Sequence, residues 1–126
     1  ADTLRELQPG LGHMVHMPGH VWLIFGEWDW AADVNERAAE VDRHYFHTTG
    51  VTAGSYPMYY WHNLSFVAYA RAMQGNRAAA LKAADTMYQA MEPMAKSMPE
   101  MPSPTIRFTK RWPKIRITRK TPETRM

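Results

Sequence analysis

The stretch GHVWLIFGEWDWAADVNERA, residues 19–38, decides the fold of this chain. Small residues recur in it with the spacing Gly-x6-Gly-x4-Ala-x6-Ala, at Gly19, Gly26, Ala31 and Ala38. Two helices that cross closely admit no side chain larger than a methyl group at their contact points. The spacing therefore predicts a tightly packed helical hairpin.

The residues from Trp28 onward have the pattern of an amphipathic helix. Apolar residues recur there at steps of three and four, which is the period of one helix face. The members of this face are Trp28, Ala31, Ala32, Val34, Ala38, Val41 and Tyr45. Charged residues such as Glu36 and Arg43 fall on the opposite face, and we expect that face to be solvated.

A second, looser hairpin follows the first. Aligning Gly75 with Gly26 places Ala80 on Ala31, so these close-contact positions stay small in both copies. The two glycines lie 49 residues apart, which is longer than a compact hairpin repeat requires. The surplus predicts a long connecting loop near 44–58.

Proline and charge divide the chain into three parts. We expect a lead-in over 1–11, two helical hairpins over 12–91 and a Pro-rich, basic tail over 92–126. Six of the nine prolines follow Met91, and each removes a backbone donor. From Thr105 onward the tail has eight Lys and Arg and one acid, so it carries +7 and the rest of the chain −4. The tail segment RFTKRWPKI faintly resembles a third, degraded hairpin unit.

Composition limits the class of protein. At 126 residues and 45% hydrophobic content, the chain supports one modest core. The absence of cysteine excludes disulfides and thiolate metal sites. The longest apolar run, Val21 to Phe25, is too short for a membrane helix. We therefore expect a soluble protein without a membrane partner. A chain without cysteine suits the cytoplasm or the periplasm, and the cytoplasm is slightly favoured.

Catalytic signatures are missing from the sequence. It has no Ser-His-Asp order, no glycine-rich phosphate loop and no paired-carboxylate signal. The pattern favours a protein that is not an enzyme, and an enzyme of this sequence would depend on a metal. Such a metal would need a nearby acid or base, for which Glu27 and Asp42 are the candidates.

Histidines cluster at the entrance of the first hairpin, in the sequence GHMVHMPGH. If the helix continues through Pro18, then His13, His16 and His20 lie on one helix face, close enough to share an ion. If Pro18 instead opens the helix, His20 lies in its first turn and His16 in the preceding loop. His62 opens the next hairpin and would supply a further ligand across the helix interface.

These histidines support two interpretations. As ligands, they would hold one divalent transition metal or copper, and copper is favoured if the sulfurs of Met14 and Met17 take part. As structural residues, they would be polar core groups whose ring nitrogens bond to backbone carbonyls, Asn or Tyr.

An aromatic cluster lies in the predicted loop and at the start of the third predicted helix. The candidate binding residues there are Tyr56, Tyr59, Tyr60, Trp61 and Asn63. Aromatic clusters of this kind form binding hot spots, because they bury much area at small entropic cost. They also fill the gap that a long insertion leaves.

The segment HMPGHVWLIFGEWDWAADVNERAAEVDRHYF, followed by YPMYYWHNLSF, resembles a subgroup of bacterial tetratricopeptide-repeat proteins. That subgroup has an HMPxH segment before the first glycine turn and a PHNxHF-like segment opening the next hairpin. The matching residues are His16, Pro18, His20, His62, Asn63 and Phe66. Trp61 stands where proline is usual, and Ser65 where the subgroup has a second histidine. The resemblance implies an all-α fold, a fragment of a solenoid of helical hairpins.

Three functions follow from these patterns. Stacked hairpins form a concave surface, so the leading hypothesis is an interaction module for a protein or peptide, self-association included. The alternative is a metal-binding protein or metal-dependent enzyme that uses His16, His20 and His62, supported by His13. The second alternative is association of the basic tail with nucleic acid, although such a tail also folds back on an acidic body.

Overall fold

Helices make up the fold in the computed structural model, which describes residues 2–51 and 54–97. The elements are α1 (Asp2–Leu7), α2 (Gly12–Phe25), α3 (Trp28–Thr49), α4 (Tyr56–Met73) and α5 (Arg77–Ser97). No strand occurs in the described residues, and the all-α prediction is confirmed. None of their helices is long and apolar enough to cross a membrane. The predicted third unit and the basic residues proposed to bind nucleic acid lie outside the described residues.

Helices α2 and α3 form an antiparallel hairpin with the small residues at its contacts. A Cβ atom added at Gly19 would lie 3.3 Å from Val34 Cγ1 and would overlap Asn35 Nδ2. Ala31 and Ala38 are fully buried. Because α2 remains helical through Pro18, the first of the two geometries predicted for the histidines is the one present.

The two turn glycines act through their backbone conformation. Gly26 has a φ of +74° and ends α2, and Gly75 has a φ of +75° in the turn between α4 and α5. No atom lies within 4 Å of a Cβ built at Gly75, and the nearest atom at Gly26 is Trp28 Cζ2 at 3.6 Å. The sequence predicted Gly26 as a close helix contact, but the left-handed conformation is what requires glycine there. Ala80, the matching position in α5, is only half-buried.

The connection between α3 and α4 is shorter than the loop predicted near 44–58. Helix α3 continues to Thr49 and α4 begins at Tyr56. The added turns of α3 are packed, because the Tyr45 and Phe46 rings lie 4.6 and 5.7 Å from the Tyr56 ring. Aromatic packing thus keeps residues 44–49 helical. Similarly, α1 occupies part of the predicted lead-in, and α5 extends to Ser97.

Helix α3 lies between α2 and α4 and contacts both of them. Its Ala31 and Ala32 join Ala70 of α4 in a small core, against which Trp22 and Leu23 of α2 pack. Helices α2 and α4 also contact each other directly. This arrangement brings one face of α2 and one face of α4 together over the polar residues of α3.

Candidate metal centre

Three of the predicted histidines converge where α2 meets α4. His16 and His20 are one turn apart on α2, and His62 is in the second turn of α4. One ring nitrogen from each lies within 4.8 Å of the other two. The rings of His20 and His62 are each centred 4.6 Å from that of His16. Within the described residues, these three form the one group of His, Asp or Glu side chains spaced to hold a metal.

Asn35 of α3 fixes the orientation of His16 from behind. The Asn35 Nδ2 donates to the Ala31 carbonyl at 2.7 Å, so its Oδ1 accepts from the His16 Nδ1–H at 2.6 Å. The lone pair of His16 is therefore on Nε2, which points into the cluster. His20 Nε2 lies 2.8 Å from it and donates a hydrogen bond to it. A hydrogen-bond partner on the other ring nitrogen, which fixes the tautomer in this way, is typical of metal-ligating histidines.

The spacing of the triad is close to that of a tetrahedral site. Zn–N bonds of about 2.0–2.1 Å place the ligating nitrogens about 3.3 Å apart. The His16–His20 nitrogen pair is closer than this, at 2.8 Å, and no pair of nitrogens in the triad is more than 4.8 Å apart. His20 and His62 are half-buried and His16 is fully buried, so an adjustment of the spacing around an ion would fall on His20 and His62.

The environment keeps His16 neutral. Burial, together with the neighbouring His62, His20 and His13, lowers its pKa from 6.5 to about 4, against the opposing effect of the Asn35 hydrogen bond. Burial also lowers the pKa of His62, as do His20 and His13. Only a neutral imidazole has a free lone pair for a metal. His16 and His62 are consequently neutral at neutral pH, as metal ligation would require.

Phe66 covers one side of the triad. Its ring centroid is 4.7 Å from His16, 4.8 Å from His20 and 4.7 Å from His62. A ring equally distant from three others lies above the triangle that they form. The face of the cluster on the Phe66 side is therefore closed by an apolar group.

A second polar network, centred on Asp42 of α3, holds the same helices together nearby. The carboxylate of fully buried Asp42 accepts from the Tyr56 hydroxyl at 2.9 Å and from Asn63 Nδ2 at 2.8 Å. It also packs against Gly12, where any Cβ atom would overlap it. Burial raises the pKa of Asp42, against the effect of both hydrogen bonds. Burial and Asp42 raise the pKa of Tyr56 to about 12.

His13 lies beside the triad and is not part of the group spaced to hold a metal. Its ring is 5.7 Å from that of His16 and 4.6 Å from that of Tyr59. Among the described residues, His13 Nδ1 and Asn63 Oδ1 are the buried side-chain nitrogen and oxygen atoms without a hydrogen-bond partner. His13 therefore packs against one ligand rather than joining the set.

The predicted aromatic binding residues have divided roles. Tyr56 and Tyr60 pack against Phe46 at the end of α3, with the Tyr60 ring at 5.7 Å. Tyr59 is 40% exposed beside His13, and Trp61 is half-buried. Asn63 is buried on Asp42. Most of the cluster thus fills space around the α3–α4 connection.

Sequence reasoning missed Asn35 as a functional residue and treated Asp42 only as a candidate acid or base. Both lie on the buried face of α3, seven residues or two turns apart. The signal was present, because two polar residues interrupt a face otherwise made of Ala31, Ala38 and Ala39. Buried polar groups require hydrogen-bond partners, and histidines on the facing helix are suitable ones.

No family model, curated protein or solved structure matches this chain.

Proposed function

We propose that this protein binds one transition-metal ion through His16, His20 and His62. The observation that carries the proposal is the convergence of three imidazoles from two helices, with Asn35 fixing the tautomer of the most buried one. A histidine that served only to satisfy its own polarity would need no neighbouring histidines. The polar-core interpretation explains the Asn35 bond to His16, but it gives no reason for the position of His62.

The donor set indicates the class of metal. Imidazole nitrogens suit zinc, copper, nickel and iron, whereas calcium and magnesium prefer oxygen ligands. The group contains no carboxylate and the chain has no cysteine. Three imidazoles with room for a further ligand are compatible with a divalent transition metal, and also with copper. The proposal makes no use of the sulfurs of Met14 and Met17.

The test is a metal titration of protein purified without a histidine tag, followed by elemental analysis after dialysis. We expect about one equivalent of bound zinc or copper and a loss of affinity in acid, at a pH below the 6.5 of a free imidazole because the pKa values of His16 and His62 are lowered. His20→Ala and His62→Ala should each lose most of the binding. Both residues are half-buried, so circular dichroism can verify that the variants remain helical.

The matched controls are His44→Ala and His47→Ala, because both residues are exposed on α3 and belong to no metal-compatible group. Metal content at background in the unmodified protein would overturn the proposal. Equal loss of metal from control and cluster variants would overturn it as well, because binding would then be a property of surface histidines.

An interaction module of stacked helical hairpins is the second candidate function. An exposed apolar surface at the α2–α3 turn favours it: Ile24 is 83% exposed, Phe25 72% and Trp30 58%. Exposed apolar groups that adjoin one another are typical of surfaces that contact another protein. Sedimentation of the chain over a range of concentrations, with Ile24→Asn as the variant, tests self-association through this surface. If the chain is a monomer at all concentrations, self-association through this surface is excluded, and its partner would have to be a different protein.

A further inference from the structure

The proposed ligand set leaves an unbalanced charge. Each of its three imidazoles is neutral when it ligates, and the group behind His16 is the neutral amide of Asn35. A carboxylate in the second shell is a common alternative that would offset part of the metal charge. A divalent ion held here therefore keeps a charge of +2 within its protein ligands.

The nearest buried carboxylate does not correct this imbalance. Asp42 lies outside the group of residues spaced to hold a metal. Its two oxygens are engaged by the Tyr56 hydroxyl and by Asn63 Nδ2, and its carboxylate packs against the α2 backbone at Gly12. Buried charge without compensation is costly, so the ion would gain from an anionic ligand supplied from outside.

The geometry also indicates the side from which such a ligand can reach the metal. Phe66 closes one face of the triangle of imidazoles, and His16 is buried with Asn35 behind it. His20 and His62 are half-buried, so the cluster is accessible at their side. Three protein ligands plus one open position is the arrangement that zinc sites use when they bind an exchangeable ligand.

We propose that the metal centre binds a small anion with an oxygen or nitrogen donor, of which a carboxylate is the biological class, at a fourth position on the side of His20 and His62, away from Phe66. This proposal rests on the metal-binding function proposed above. It turns the site from a structural metal centre into a receptor for a small anionic ligand.

Cobalt(II) provides the test, because its visible spectrum reports coordination number and ligand exchange directly. The full chain is loaded with one equivalent of cobalt(II), and the bound metal is measured before azide is added. We expect the visible bands to shift and the change to saturate at one azide per cobalt. Acetate added afterwards should reverse the shift by competition. His44→Ala, a substitution far from the triad, should give the same response as the unmodified chain.

The outcomes separate the two proposals. Bound cobalt whose spectrum does not respond to azide overturns the anion site and leaves metal binding in place, because a protein group then fills the fourth position. The variant Asp42→Asn identifies Asp42 as that group if it restores the azide response. If the protein binds no cobalt, the metal-binding proposal fails and the anion site fails with it.

Discussion

Replacing Gly19 by alanine should weaken metal binding although Gly19 is not a ligand. The residue lies inside α2, where the added Cβ atom would overlap Asn35 Nδ2 and lie 3.3 Å from Val34 Cγ1. The side chain of Asn35 would have to move. It would then lose its bond to the Ala31 carbonyl or its bond to His16 Nδ1. The orientation of the most buried ligand depends on the second of these bonds.

The expected change in stability is the difference between two opposing effects of the added methyl group, whereas the expected change in metal affinity has a single cause. Overpacking a core costs about 1–3 kcal/mol, and alanine regains roughly 1 kcal/mol over glycine in a helix. We therefore expect a net destabilisation of about 0–2 kcal/mol. Loss of the group that hydrogen-bonds to a ligating side chain typically lowers metal affinity about 10–100-fold, which corresponds to roughly 1.4–2.7 kcal/mol. The fold should survive the substitution better than the site does.

The assay is a competitive zinc titration beside thermal unfolding, with Gly10→Ala as the matched control. A Cβ atom at Gly10 meets no atom within 4 Å, and Gly10 has no positive φ. The control should keep both the affinity and the unfolding temperature of the unmodified chain. Unchanged affinity in Gly19→Ala would refute the argument that Asn35 orients His16.

Three further predictions concern stability and charge. The free energy of unfolding should fall as the pH drops from about 6.5 towards 4, because His16 is protonated in the unfolded chain over this range but stays neutral in the folded chain until the pH nears its lowered pKa. Denaturant titrations at several pH values measure this free energy, and its dependence on pH should be weaker in His16→Gln than in the unmodified chain. Gly26→Val should destabilise the fold by about 1–3 kcal/mol in thermal unfolding, because φ at this position is +74° and valine rarely adopts it. The control Glu36→Ala, at an exposed position, should change the stability by less than about 1 kcal/mol. Asp42→Asn should keep the helical circular dichroism signal, since Asn63 can turn its unpartnered Oδ1 towards the new amide. The variant should also bind zinc as the unmodified chain does, because Asp42 lies outside the group of residues spaced to hold a metal.

The sequence predicted the class of fold and the convergence of His16, His20 and His62 for local physical reasons. Helix periodicity is a property of neighbouring residues, so it can be read without knowledge of the tertiary structure. His16 and His20 at i and i+4 lie on one face of any helix that contains both, and Pro18 did not interrupt that helix. The prediction that His62 lies near His16 and His20 required only that the first helices of the two hairpins, α2 and α4, lie side by side.

The remaining features depend on contacts between helices, which the sequence pattern does not encode. The loop predicted near 44–58 is mostly helical, because the rings of Tyr45 and Phe46 pack on Tyr56 and stabilise further turns. Asn35 could be assigned to the buried face of α3, but its partner was identifiable only once α2 lay against that face. His13 shares the predicted face with His16, yet it lies against the Tyr59 ring.

The most direct test of the account is X-ray absorption spectroscopy of the zinc-loaded chain. The proposed centre predicts three imidazole nitrogens at about 2.0–2.1 Å, with the outer-shell scattering of histidine rings and one further light ligand. His62→Ala should reduce the imidazole count, and His44→Ala should leave it unchanged. A shell of oxygen ligands, or a single imidazole per zinc, would contradict the assignment of His16, His20 and His62 as the metal ligands.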